Sequence, residues 1–186
     1  MKIIVAVTGA SGSLYAQCLF DKLNALRNQF DEVCVVFSKT AKDVWLCEMP
    51  SNPNIYDFTE YADTDFFSPI ASGSAKYDAM IICPCSVGTM GRIAHGTAET
   101  LITRAADVML KERRKLILAV RETPFSLIHI KNMELITQAG GIICPANPSF
   151  YSKPQTVEDV CNTVVDRIID LTGIEHNGFR WGNKSL

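Results

Sequence analysis

The sequence predicts an α/β fold: a three-layer, mostly parallel sheet with helices on both faces. Three observations predict it. Short β-branched apolar runs alternate along the chain with longer segments of helical apolar spacing. The short runs are free of charge, as strands buried on both faces are. Strand–helix alternation also makes successive strands parallel, with the crossover helices as outer layers.

The elements follow in order. Residues 3–7 form the first strand, and Leu19, Phe20, Leu23 and Leu26 put one apolar stripe on a helix over 13–26. Residues 33–37 are a second strand. A helix over 40–48 turns Ala41, Val44 and Trp45 inward and stops before Pro50 and Pro53. Residues 49–75 show no regular pattern. A third core strand spans 79–83, helices span 86–95 and 98–111 with Gly96 between them, and a fourth strand spans 116–120. A helix over 126–139 ends at Gly140-Gly141. A fifth strand spans 142–144. The last helix, 156–171, carries Val157, Val160, Val164, Ile168 and Leu171 on one face and has Thr156 as its N-cap. The architecture is Rossmann- or flavodoxin-like. One domain is expected over 1–186, with a tail from about 174 to 186 whose Phe179 and Trp181 must pack on something.

Composition excludes several classes. With 186 residues, 47% apolar and 20% charged, the chain can bury a core and is not globally disordered. A net charge of −2 from 18 basic and 20 acidic residues argues against a polybasic nucleic-acid or membrane-surface protein. Seven cysteines without a C-x-x-C pair point to a reducing cytosol and no disulfide framework. Three histidines far apart in sequence leave Cys83 and Cys85 without partners for a metal. The opening apolar run is too short for a signal peptide, and no window suits a membrane span. A cytoplasmic protein with no nucleic-acid or membrane partner and no metal is expected.

In an open parallel sheet, ligands bind outside the carboxyl ends of the strands. The first strand is followed by Thr8-Gly9-Ala10-Ser11-Gly12-Ser13: two glycines, hydroxyls and a helix start, where free amides suit a phosphate or another electron-rich group. A tight β–α turn would also want the glycines, but the two serines exceed what a turn requires. The second strand ends in Ser38-Lys39 rather than an acidic residue, which disfavours NAD. The third ends in Cys83-Pro84-Cys85-Ser86-Val87-Gly88-Thr89, either a second cradle or a plain N-cap at Ser86. The fourth ends in Arg121-Glu122, a charged pair directly beyond a buried strand. Arg104 and Lys111, seven residues apart, lie nearly on one helix face. Tyr151 is a core aromatic or a phenol donor. Arg167 is a solvent-facing charge or a ligand, and His129 is a packed or capped imidazole rather than a catalyst.

The sequence resembles the UbiX-type flavin prenyltransferases over nearly its whole length. These belong to the homo-oligomeric flavin-containing cysteine decarboxylase superfamily and were formerly labelled aromatic acid decarboxylases. The resemblance is carried by Thr8-Gly9-Ala10-Ser11-Gly12, Phe37-Ser38-Lys39, Ser72-Gly73-Ser74, Cys83-Pro84-Cys85-Ser86 with Gly88-Thr89, and Arg104-Ala105-Ala106-Asp107. Lys111-Glu112-Arg113, Arg121-Glu122 with Pro124-Phe125, Phe150-Tyr151 and Arg180-Trp181-Gly182 complete it. Val120 and Thr123 depart from the proline and alanine common in relatives, and Val87 and Met90 vary the second cradle.

The resemblance implies transfer of dimethylallyl from dimethylallyl phosphate to N5 and C6 of reduced FMN, without metal. The product is prenylated FMN, the cofactor of UbiD-type decarboxylases. It implies an FMN cradle of Gly9, Ala10, Ser11, Ser38, Ser86, Val87, Gly88, Thr89 and Arg121. Arg104, Lys111, Tyr151 and Arg167, drawn from neighbouring subunits, would grip the prenyl phosphate. Ser11 would sit near flavin N5, Glu122 would manage the proton at the leaving phosphate, and Glu48 would be a further carboxylate of the site. Trp181 would offer a π face to an allylic cation. Relatives are typically dodecamers. Two other readings stand beside this one: a non-catalytic flavin-delivery subunit of a decarboxylase, and an FMN-dependent cysteine-type decarboxylase. The latter carries a Pro-x-Met-Asn-x-x-Met-Trp segment, where this chain has Pro145-Ala146-Asn147-Pro148-Ser149-Phe150-Tyr151.

Overall fold

The computed structural model describes residues 1–182. The strands are β1 (Lys2–Val7), β2 (Glu32–Phe37), β3 (Thr59–Ala62), β4 (Ala79–Cys85), β5 (Lys115–Val120) and β6 (Ile142–Ile143). The helices are α1 (Ser13–Ala25), α2 (Lys39–Glu48), α3 (Val87–Ala94), α4 (Leu101–Lys111), α5 (Leu127–Gln138) and α6 (Val157–Thr172). All strands pair in parallel, in the order β3-β2-β1-β4-β5-β6. The chain starts mid-sheet, builds outward to β3, then crosses back to β4 and builds the other way. At that reversal, the loops leaving β1 and β4 diverge and open a crevice at the carboxyl edge.

Side-chain alternation makes the layers. Ile3, Val5 and Val7 of β1 pack under α1, α2 and α6, whereas Ile4 and Ala6 pack under α3, α4 and α5. Phe20 of α1, Phe37 of β2 and Trp45 of α2 pack together at centroid separations of 6.0 to 6.5 Å. Such pairs add about 0.5–1.5 kcal/mol each beyond area burial. They fix α2 against the sheet, and with it Ser38 at its start and Glu48 at its end. Six of the seven cysteines are buried; burial pushes the Cys18 and Cys34 thiols up to about 12, so they are packing groups.

The structure departs from the sequence reading in a few places. A sixth strand, β3, lies within the unpatterned segment; it is a mostly exposed edge strand and shows no apolar alternation. Helix α4 begins at Leu101, not residue 98, because Thr100 and Thr103 close a capping box and Asp63 accepts from the Ile102 amide at 3.0 Å. Strand β4 runs on to Cys85 through a cis Cys83–Pro84 bond. Strand β6 holds only two residues.

Candidate active site

Thr8, buried at the end of β1, bolts the two walls of the crevice together. Its hydroxyl donates to the Pro84 carbonyl at 2.8 Å and accepts from the Ser86 amide at 2.8 Å. Its own amide donates to the same carbonyl at 3.2 Å. The proton and one lone pair of a single buried hydroxyl are engaged in this way. Thr8 stands in the Thr8-Gly9-Ala10-Ser11-Gly12 motif, where no role is evident from sequence. Its signal is position: a hydroxyl on the last turn of a buried strand must find partners nearby.

Beyond Thr8 the chain passes close to α2. A Cβ at Gly9 would stand 2.6 Å from the Thr40 Cβ. Ser38 caps α2, accepting from the Ala41 amide at 3.1 Å, with its hydroxyl 3.2 Å from that of Thr40. Gly9, Ala10, Ser11 and Ser38 are therefore neighbours at the carboxyl ends of β1 and β2.

The α1 terminus differs from expectation. Its first amides are not open to an external anion: Glu48, from the last turn of α2, accepts from the Gly12 amide at 2.9 Å and the Ser13 amide at 2.8 Å. Gly12, at φ 126°, supplies the left-handed turn that aims them. Burial of Glu48 opposes its charge, but hydrogen bonding from Ser11, Gly12 and Ser13 prevails, and its carboxyl sits below the usual range.

The α3 terminus, at the carboxyl end of β4, is open. Ser86 caps it through the Thr89 amide at 3.2 Å and donates to the Thr89 hydroxyl at 3.1 Å, so Ser86 is an N-cap. Among the described residues, the Val87 and Gly88 amides meet no acceptor outside the helix, and a first-turn amide has none within it. A Cβ on exposed Gly88 would touch only the Arg92 guanidinium, at 3.5 Å. Arg121 lies one strand further on, its amide on the Cys85 carbonyl at 3.1 Å and its side chain exposed. Its positive charge reaches the Tyr15 phenol, which burial pushes up. Glu122 accepts from the Thr123 amide at 3.0 Å. His129 accepts from the Ser126 amide at 3.2 Å in a capping box and is a capping imidazole.

A second cavity, about 710 Å³, lies between α6 and the loop after β6. Tyr151, Arg167, Arg180 and Trp181 line it. The Tyr151 and Trp181 rings meet edge-on at 4.8 Å. Arg167 is largely exposed there and lies 3.7 Å from Asp170. Neither Asp170 nor Arg180 was singled out as a site residue from sequence, since isolated charges carry no periodic signal.

Arg104 and Lys111 do not reach this cavity within one chain. Helix α4 runs antiparallel to the strands, so its last residue, Lys111, lies at the amino edge of the sheet. There it pairs with Glu112 at 2.7 Å, next to Arg114. Ser72-Gly73-Ser74 lies at the same edge: the Gly73 carbonyl accepts from Arg114 at 2.8 Å, and a Cβ at Gly73 would stand 2.7 Å from the Glu112 Cδ. Arg104 is two turns back, about 10 Å along the helix, and donates to Ala71 O and Asp107 at 3.1 Å each.

The Flavoprotein family profile matches residues 1–169. The flavin prenyltransferase UbiX of Methanocaldococcus jannaschii is 44% identical over 191 residues, covering 98% of this chain and 99% of that protein. The chain belongs to the UbiX flavin prenyltransferases. Two solved structures place the UbiX fold on this chain throughout. AnUbiX, in complex with FMN and dimethylallyl pyrophosphate, superposes at a TM-score of 0.87 with 38% identity, over 97% of this chain and 98% of its own. The dodecameric FMN-dependent UbiX-like decarboxylase of Escherichia coli O157:H7 superposes at 0.89 with 41% identity, over 97% and 99%.

Proposed function

We propose that this flavin prenyltransferase takes dimethylallyl from dimethylallyl phosphate and joins it to N5 and C6 of reduced FMN, supplying prenylated FMN to a UbiD-type decarboxylase. The carrying observation is a pair of sites: the free Val87 and Gly88 amides of α3 beside Arg121-Glu122, and the cavity along α6 lined by Arg167, Tyr151 and Trp181. The AnUbiX complex, with FMN and a dimethylallyl phosphoester in one protein, supports the reading.

The residues fit FMN. The Val87 and Gly88 amides and the Arg121 guanidinium offer donors to its electron-rich groups, with Ser86 and Thr89 at the same turn. Gly9, Ala10, Ser11 and Ser38 form the facing wall. Bound reduced FMN supplies the nucleophilic ring atoms. Ser11, linked to the Glu48 carboxylate, is placed to orient a polar ring atom.

The chain itself handles the leaving group. Arg167 and Tyr151 donate to the phosphate, and Lys111 and Arg104 join them from neighbouring subunits of a homo-oligomer. Fixed cations stabilise charge that builds up as the C–O bond breaks, without magnesium. Glu122 holds or delivers the proton the phosphate requires. Trp181 and Tyr151 present π faces to the allylic cation and keep water away. Anaerobic incubation with reduced FMN and dimethylallyl phosphate tests the reading by flavin mass and absorbance. A mass gain of one dimethylallyl unit is expected, and unchanged flavin would overturn it.

A further inference from the structure

The tail that carries Trp181 is anchored at two points, and the second is a single carboxylate. Gly173, at φ 87°, ends α6 at the amino edge and reverses the chain. Gln29 then clamps the Glu175 backbone, accepting from its amide at 3.0 Å and donating to its carbonyl at 2.7 Å. Beyond that point, every hydrogen bond from residues 176–182 to the rest of the described chain ends on Asp170. Arg180 makes a two-pronged pair with it, at 2.7 and 3.0 Å. His176 Nε2 lies 2.8 Å from the same carboxylate. The other ring nitrogen, Nδ1, is buried, has no hydrogen-bond partner and lies 3.7 Å from Asp166. Lys22 holds that aspartate at 2.6 Å. The imidazole is therefore fixed from one side only. Asp170 also faces Arg167, so it stands between the cavity and the tail.

We propose that Asp170 is a positioning residue: by holding Arg180 and His176 it fixes the tail so that Trp181 lies over the cavity, against Tyr151. Trp181 follows Arg180 directly and inherits its placement. Its own hold is one edge-on ring contact, with 78% of its surface exposed, and such a contact is weak next to a forked, charge-assisted pair. Asp170 touches no reacting group; it acts through the tail. Its consequence for turnover rests on the role proposed for Trp181, whereas its consequence for the tail does not.

The two can be measured apart. The chain has two tryptophans, and Trp45 is 1% exposed, so acrylamide quenching reports Trp181. Asp170→Asn keeps the shape but removes the charge and one acceptor. It should raise the quenching constant about twofold and lower kcat for prenyl transfer roughly tenfold, the effect of losing a charged hydrogen-bonded pair, with FMN affinity unchanged. Arg180→Gln, altered on the exposed partner, should do the same and serves if the first variant fails to fold. Wild-type quenching in the folded variants would overturn the proposal. So would parallel losses of FMN affinity and melting temperature, which mark a general structural role. Raised quenching with wild-type kcat would support the tether and instead remove Trp181 from the chemistry.

Discussion

Glu48 accepts the Gly12 amide at 2.9 Å, so a side chain from the end of one helix caps the start of another. The contact ties α2 to the loop that carries Ser11. Glu48→Gln should lower stability by about 1 kcal/mol, the usual size of a cap, and should weaken FMN binding through Ser11. The acid limb gives the sharper test. The folded pKa of Glu48 lies below its unfolded value. Its stabilisation is therefore complete above the unfolded pKa and is lost as pH falls through the folded one. Melting temperatures of wild type and variant, followed from about pH 6 to pH 3, should converge at the acid end. A gap that stays constant across the range would show that the charge does not matter.

Gly9 and Thr40 make a steric prediction. A methyl group at residue 9 cannot be accommodated beside the Thr40 Cβ, so Gly9→Ala should cost about 1–3 kcal/mol, as overpacking does. Thr40→Ala keeps that Cβ and should rescue only part of the loss. Complete rescue, by melting temperature and FMN titration, would show that the hydroxyl alone causes the clash.

Five of the six strands were legible because they read as unbroken apolar runs, four of them largely buried and β6 half-buried at the edge. Strand β3 escaped for the converse reason: Thr59, Glu60 and Ala62 are exposed, and only pairing with β2 makes the segment a strand. The site split along a similar line. Local features were readable, such as Ser86 capping its own helix. Long-range ones were not: nothing around Glu48 announces that it will cap α1, 36 residues away in sequence. Of the two helix starts read as cradles, the α3 one keeps its Val87 and Gly88 amides free, whereas Glu48 takes the Gly12 and Ser13 amides at the α1 one. Arg104 and Lys111 share a helix face as their spacing requires, but helix direction, which spacing does not encode, carries Lys111 to the far edge of the sheet.

Glu122 is the group proposed to manage the leaving proton, and its carboxylate holds one described hydrogen bond, from the Thr123 amide. Glu122→Gln keeps the size and can still accept that bond through its carbonyl oxygen, so the loop should persist. FMN should bind as in wild type, while C–O cleavage in single turnover slows roughly 100-fold or more, within the usual range for a general acid or base. A wild-type single-turnover rate would remove the proton role. A loss of FMN binding would place Glu122 in the cradle instead.

Lys111 gives the test of shared sites. It ends α4, which packs on one face of the sheet, whereas Tyr151 and Arg167 line the cavity along α6 on the other face, so one chain cannot bring them to one phosphate. If a neighbour's Lys111 completes each cavity, Lys111→Ala and Arg167→Ala chains should each be defective for dimethylallyl phosphate, with FMN affinity little changed. Unfolded and refolded together in equal amounts, they should recover activity. A cavity is intact when its host is the Lys111→Ala chain and its donor the Arg167→Ala chain, which random assembly produces about one time in four. Recovery to roughly a quarter of wild-type activity after co-refolding, and none on mixing the assembled proteins, is the expected pattern. The absence of recovery in mixed oligomers verified by mass would mean that Lys111 serves no neighbour's cavity.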